Sequence, residues 1–307
     1  MKRALVTGAS GHIGRHLLRA LTDLDVQTYA VTRGAAVTTS SQGRWLVGDL
    51  VDPDFVRACL RQAAPDVVFH LGGLVSGSRD VTMVPPTLAG ILEATVNVLI
   101  ASEEQNTRVV IAGSVEDPGP GARRVPTSPY GVAKEASRRY GEMFHEVYGT
   151  RVANARIFMV YGPGEQPRSR LVPYIVESLL QGRPPLLSSG SRLVDWVHVD
   201  DVVRGLLALA SCEQAWGRSL DLGSGEMRRT VDVGEEIRAL LDAPLELAWG
   251  AVPDRRGETE DRADVETTRQ VCGWEPRISF DDGLTQTVQW LAQDWRLRNP
   301  SPSTSGA

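Results

Sequence analysis

Short, nearly continuous apolar runs alternate along the chain with longer stretches in which apolar residues recur every three or four positions. The first forty residues already show both. Ala4 to Thr7 is a strand run, Gly8 to Gly14 a turn, the stretch to about Leu24 a helix, and Val26 to Thr32 a second strand. That order is a βαβ unit. Further on, Trp45 to Val47 predicts a third strand, Pro53 opens a helix, and Val67 to Leu71 is a compact apolar strand. A long helix over roughly Pro86 to Gln105 then leads to the strand Arg108 to Ala112, and a helix-compatible run covers Tyr130 to Tyr148.

The turn TGASGHIG spaces Gly8, Gly11 and Gly14 three residues apart between a strand and a helix, so backbone from Gly8 through Ser10, His12 and Ile13 can approach a pyrophosphate at the helix N-terminus. An acidic residue closing the second strand would hold the ribose 2′-hydroxyl of NAD. None stands between Val26 and Arg33; the cation Arg33, nineteen residues after Gly14, closes the segment instead and suits a 2′-phosphate. The expected cofactor is therefore NADP(H). Asp49 and Leu50, after the third strand, are placed to meet an adenine. Leu71, Gly72 and Gly73 let backbone pass close to the cofactor.

Open α/β sheets place ligands at strand ends, and the strand Arg108 to Ala112 ends in GSVEDPG. Ser114 there can donate to a carbonyl oxygen, with Glu116 close behind. Sixteen residues after Ser114 comes Tyr130, and Lys134 lies one helical turn beyond it. A phenol near an ammonium is a proton-transfer device, because the cation favours the phenolate. Taken alone the Y-x-x-x-K pair is common on helix surfaces. Its place after a glycine turn and a strand-end serine makes Ser114, Tyr130, Lys134 and Glu116 the candidate catalytic group.

Composition narrows the classes. The 307 residues, 42% hydrophobic and 23% charged, suit one large α/β domain or two intimately associated lobes. A formal net charge of -5 gives no sign of a nucleic-acid surface. Cys59, Cys212 and Cys272 lack metal-ligand spacing and read as core thiols in a reducing compartment, so no metal is expected. The amino terminus runs straight into a strand without a signal-like core, no uninterrupted apolar run reaches membrane-spanning length, and the expected location is cytoplasmic.

TGASGHIG, HLGG at His70, the serine strand end, SPYGVAK, RIFMVYGPG from Arg156, DWVHVDD from Asp195 and ADVETTRQVCGWEPRISFDDGL resemble the extended short-chain dehydrogenase/reductases, which include nucleotide-sugar epimerases, dehydratases and reductases. The resemblance implies an α/β fold with a doubly wound, Rossmann-type parallel sheet and a smaller C-terminal substrate lobe. It implies a cofactor domain over 1–161 with 195–222 returning to it, a substrate lobe from 162–194 and 223–298, and a disordered tail over 299–307. It also implies Tyr130 as acid/base, Lys134 as its partner and ribose ligand, Ser114 as the carbonyl-holding hydroxyl, and a nucleotide-sugar substrate under the loop GPGEQPRSRLVPYI, with Val172 near it. Two residues depart from the family pattern: Met159 stands where an asparagine is usual and Val194 where an arginine is frequent. Arg192, Arg255 and Arg256 are the candidate replacements at the phosphates. A homodimer is implied, paired through the two long helices, with Ile91, Val98, Ala133 and Phe144 as candidate buried positions.

GSVEDPG is similar to the strand end of GDP-4-keto-6-deoxymannose reductases, and Arg33 fits a released NADP. The expected reaction is NADPH-dependent reduction of a nucleotide-activated 4-keto-6-deoxyhexose. The alternative is a 4-epimerase or 4,6-dehydratase with retained NAD: Glu116 lines up with a dehydratase base, although the acid usually preceding it is absent. From a different class comes a non-catalytic NADP-sensing protein, which would generally lack the tyrosine and lysine.

Overall fold

The computed structural model describes residues 1–34, 43–164, 166–255, 257–258 and 260–300. Among these residues the strands are β1 Arg3–Thr7, β2 Gln27–Thr32, β3 Arg44–Val47, β4 Val67–His70, β5 Arg108–Ala112, β6 Val152–Ile157, β7 Met159–Tyr161, β8 Leu193–His198, β9 Ser219–Leu222 and β10 Met227–Arg229. The helices are α1 His12–Asp23, α2 Pro53–Ala63, α3 Val84–Thr87, α4 Ala94–Glu104, α5 Pro129–Tyr148, α6 Leu171–Leu180, α7 Val199–Ser211, α8 Thr230–Leu240, α9 Val265–Cys272 and α10 Phe280–Arg298.

Seven strands form a parallel sheet in the order β3-β2-β1-β4-β5-β6-β9. The order reverses between β1 and β4, which opens the ligand crevice beyond Thr7 and His70. Successive strand residues point to opposite faces, so each strand feeds two apolar layers. Ala4, Val6, Val67 and Phe69 pack with Leu17, Leu18 and Leu21 of α1 and with α7. Leu5, Val68 and Ile111 pack on the other side with α2, α4 and Phe144 of α5. A third core fills the C-terminal lobe, where α6, α8 and α10 cover the small sheet β10-β8-β7.

Helix starts follow local chemistry. Asp52 caps α2 by accepting from the amides of Asp54 and Phe55, with Pro53 at the first helical position. Ser128 caps α5 by accepting from the Gly131 amide at 2.9 Å. At the other end Gly149, with φ 71°, closes α5 in the left-handed region.

The structure differs from the expected division at two strands. β7 and β8 both belong to the second sheet, β7 following β6 after Phe158 alone, while α7 and β9 do return to the large sheet. The long helix is also composite. It runs from Val81 to Glu104 through a 3-10 turn, α3, a π-helical segment Leu88–Glu93 and α4. By length and a mean hydropathy of 1.5 this run is apolar enough to span a membrane, although Glu93 interrupts it, so no uninterrupted apolar run reaches that length here. In the fold it is a layer helix, packed on α2, α5, β4 and β5. Asn299, assigned to a disordered tail, bonds back to the Trp295 carbonyl and ends α10; residues 301–307 lie outside the described residues.

Candidate active site

The floor of the site is the turn after β1. Gly8 has φ +64°, and a Cβ there would stand 2.7 Å from the Leu71 carbonyl group and 2.8 Å from the Gly72 amide nitrogen. A Cβ on Gly14 would meet the Gly8 oxygen at 2.4 Å. Both positions therefore require glycine for backbone packing. Gly11 is exposed at the start of α1, which has neither a side-chain cap nor an acidic residue in its first turn. Its free amides and the positive end of its dipole fit an anion such as a dinucleotide pyrophosphate. Ser10, whose hydroxyl lies 3.4 Å from that of Thr32, and the half-buried His12 and Ile13 line the same turn.

Leu50, Leu71, Gly72 and Gly73 continue the cradle. The Gly72 amide donates to the Thr7 hydroxyl at 2.9 Å, and a Cβ on Gly72 would meet Leu50 at 2.8 Å. Asp49 is exposed, with its carboxylate accepting from the Val51 amide. Arg33 stands exposed just after β2, on the cofactor side of the sheet edge. Residues 35–42, which follow it, lie outside the described residues.

Ser114, Tyr130 and Lys134 come together at the end of β5. The Ser114 hydroxyl accepts from the Glu116 amide at 3.2 Å and acts on the Tyr130 phenol. Tyr130 sits in the first turn of α5, and the Lys134 ammonium lies 5.8 Å from its ring centroid. That ammonium is buried and donates to the Ala112 carbonyl at the end of β5 at 2.7 Å. Burial lowers its pKa to about 8. For Tyr130 the sequence expectation is reversed. Burial raises the phenol above its ordinary value, the Ser114 hydroxyl lowers it, Glu116 raises it and Arg170 lowers it.

Glu116 is half-buried and accepts from the Ser128 hydroxyl, which in turn caps α5. Its neighbour Asp117 is fully buried and is gripped by the fully buried Arg138 at 2.7 Å, a pairing absent from the sequence reading. Arg156 donates to the Asp117 carbonyl at 2.8 Å and pairs with Asp221 and Asp261. Arg124 also reaches Asp261. These contacts bring Asp221 and Asp261 to the strand end. Thr127 bonds the Gly257 carbonyl at 2.5 Å on the same side.

The candidate substrate residues fare unequally. Arg192 lines a small cavity with Val115, Met159 and Asp261 and reaches Glu258 at 3.3 Å. Arg255 is exposed, with its guanidinium beside Gly77. Val172 is corrected: it is 2% exposed and packs in the lobe core, because α6 packs against α8 and α10. Arg256 lies outside the described residues. Arg170 was missed. It precedes α6, touches the Met159 sulfur at 3.9 Å and acts electrostatically on Tyr130.

Comparison with known proteins agrees with this geometry. Residues 4–223 match the model of the NAD dependent epimerase/dehydratase family. The UDP-glucose 4-epimerase of Mycolicibacterium smegmatis is 29% identical over 94% of this chain and 98% of its own length. The dTDP-glucose 4,6-dehydratase of Streptomyces griseus is 31% identical over 93% of each chain. Among solved structures, MoeE5 in complex with UDP-glucose and NAD superposes with a TM-score of 0.86 at 30% identity, covering 95% of this chain and 99% of that one. With the glycine turn, the reversed strand order and the serine, tyrosine and lysine in one crevice, the chain belongs to the NAD dependent epimerase/dehydratase family.

Proposed function

We propose that the protein interconverts nucleotide-linked hexoses at C4 with a nicotinamide cofactor that stays bound, as a 4-epimerase. The observation that carries this reading is the acid/base inventory around Tyr130. A 4,6-dehydration needs groups to remove a second proton and to protonate a departing hydroxyl, in addition to the tyrosine. Here Val115 precedes Glu116, Glu116 is engaged by Ser128, and Asp117 is sequestered by Arg138. An epimerisation asks only that one hydroxyl lose and regain a proton. The similarity to a UDP-glucose 4-epimerase supports the same reading.

When bound, the nicotinamide supplies hydride acceptance and return. The chain's own part is at the sugar oxygen: Tyr130 holds or gives the proton there, Ser114 donates to the oxygen, and Lys134 contributes positive charge to the floor. Incubating the purified protein with UDP-glucose, UDP-galactose, UDP-glucuronate and dTDP-glucose, with products read by NMR, tests the proposal. A C4-inverted product with no net change in absorbance at 340 nm is expected. A dehydrated 4-keto product instead would reject epimerisation.

Arg33 favours a second reading, NADPH-dependent reduction of a dTDP- or GDP-linked 4-keto-6-deoxyhexose, since no carboxylate closes β2 to hold a 2′-hydroxyl. Stoichiometric NADPH consumption with such a ketosugar would establish it. Tighter binding of NADP than of NAD, reversed in Arg33→Asp, would place the cofactor preference on this residue. We further propose a cytoplasmic homodimer. Ile91, Val98, Ala133 and Phe144 are buried in the chain's own core, so the pairing surface is carried instead by the exposed Val84, Leu88, Val132 and Tyr140 of the same helices. Light scattering at micromolar concentration checks it.

A further inference from the structure

We infer that His70 is a positioning residue for the cofactor cradle, acting as a neutral pin with its proton on Nε2. His70 ends β4, is 2% exposed, and has partners on both ring nitrogens. Its Nδ1 lies 2.8 Å from the Thr7 hydroxyl and its Nε2 3.1 Å from the Thr95 hydroxyl.

The directions are fixed by the ends of the chain of bonds. Thr7 already accepts the Gly72 N–H at 2.9 Å, and its own proton is then free for Nδ1. Thr95 directs its hydroxyl at the Ile91 carbonyl at 2.6 Å, which leaves its lone pair for the proton on Nε2. The order is therefore Gly72 N–H to Thr7, Thr7 to Nδ1, Nε2–H to Thr95, and Thr95 to Ile91. Each group is used once in a consistent sense. Imidazolium would turn Nδ1 from acceptor to donor and break the order. Burial and the nearby Lys134 ammonium oppose that charge, and hold the ring's pKa down at about 3.

The two ends of this pin are functional surfaces. At one is the Gly72 amide, in the glycine floor against which Gly8 is packed. At the other is the π-helical segment Leu88–Glu93, whose Gly90 backbone faces Leu74 and Gly73. A Cβ on Gly73 would lie 3.8 Å from the Lys134 ammonium, so the pinned backbone also borders that ammonium. π-helical segments recur at functional sites, and here Thr95 adds a second bond to the Ile91 carbonyl, which also accepts the Ala94 amide.

The experiment is nitrogen-15 NMR of the histidine rings from pH 5 to 9, together with NAD and NADP affinity of variants measured by fluorescence without any sugar present. His70 is expected to keep the Nε2–H tautomer throughout. A ring that titrates near 6.5 or carries its proton on Nδ1 overturns the proposal. His70→Phe should weaken cofactor binding at least tenfold while the thermal midpoint of the cofactor-free protein moves little. Affinity within twofold of wild type overturns it. His70→Gln, whose amide reaches the Nε2 position, should recover part of the loss. Should His70→Phe not fold, Thr95→Val carries the decision, with a loss of at least threefold expected and no loss refuting. None of these readouts requires turnover, so they stand or fall separately from the 4-epimerase reading.

Discussion

In the proposed reaction Tyr130 carries the chemistry, and its surroundings set how it titrates. The ring persists in Tyr130→Phe and only the hydroxyl is lost, so turnover should fall by about 10²- to 10⁴-fold with cofactor affinity little changed. A variant retaining more than roughly a tenth of wild-type kcat under chemistry-limited conditions would sink the assignment. Glu116 raises the phenol's pKa. In Glu116→Gln the limb of the pH–rate profile that requires phenolate should therefore move to lower pH; an unmoved limb would mean Glu116 does not act on Tyr130. Lys134 is held at about 8, below its ordinary 10.5, so at pH 7 the folded state carries a buried charge at a cost of roughly 3 kcal/mol. The lost bond to Ala112 offsets about 1–2 kcal/mol of that. Cofactor-free Lys134→Met should thus melt a few degrees higher than wild type at pH 7 while turning over more slowly and binding cofactor more weakly. Between pH 8 and 10.5 the wild-type lysine sheds its proton in the folded state first, so wild-type stability rises and the difference should shrink; calorimetry across that range measures it. That these side chains share one crevice was legible because Ser114, Tyr130 and Lys134 are local to one strand end and one helix turn. The reversed sign at Tyr130 was not, since desolvation depends on packing that no spacing reveals.

Elements were legible where one face is apolar and a cap is local. α1, α2, α5 and the strands β1 to β5 fall close to their predicted places, because Leu17, Leu18 and Leu21, the Asp52 cap and the Ser128 cap are written in consecutive residues, whereas β6 and β9 were not predicted. β8 was misassigned because its pattern, buried from Val194 to His198, is equally that of a central strand in either sheet. The pair formed by Asp117 and Arg138 joins residues 21 apart and went unseen. It docks the middle of α5 on the strand end that carries Ser114. Arg138→Met would leave Asp117 buried without its cation, at a cost of about 3–5 kcal/mol. Urea unfolding should show that loss in the midpoint, and a shift worth less than 1 kcal/mol would mean the pair is not what seats the helix.

At the scale of the whole molecule the Rossmann-type architecture was readable from the resemblance, but the way the two sheets are stitched was not. Asp195, 1% exposed, shows the seam: from β8 it accepts the amides of Ser224, Gly225 and Ala263, drawn from segments far along the chain. The same weaving has a consequence for what a fragment of this protein can be. β9 is the outermost strand of the large sheet and pairs with β6, whose six residues are all buried. A polypeptide ending at Tyr161 would keep the glycine turn, Ser114, Tyr130 and Lys134 yet present the flank of β6 unpaired, an open template for other chains. Expressed alone, that fragment should collect in inclusion bodies or large assemblies, whereas a polypeptide extended through Leu222 should stay dispersed in sedimentation. What reads on paper as a self-sufficient nucleotide-binding half is, in solution, a broken edge waiting for its last strand.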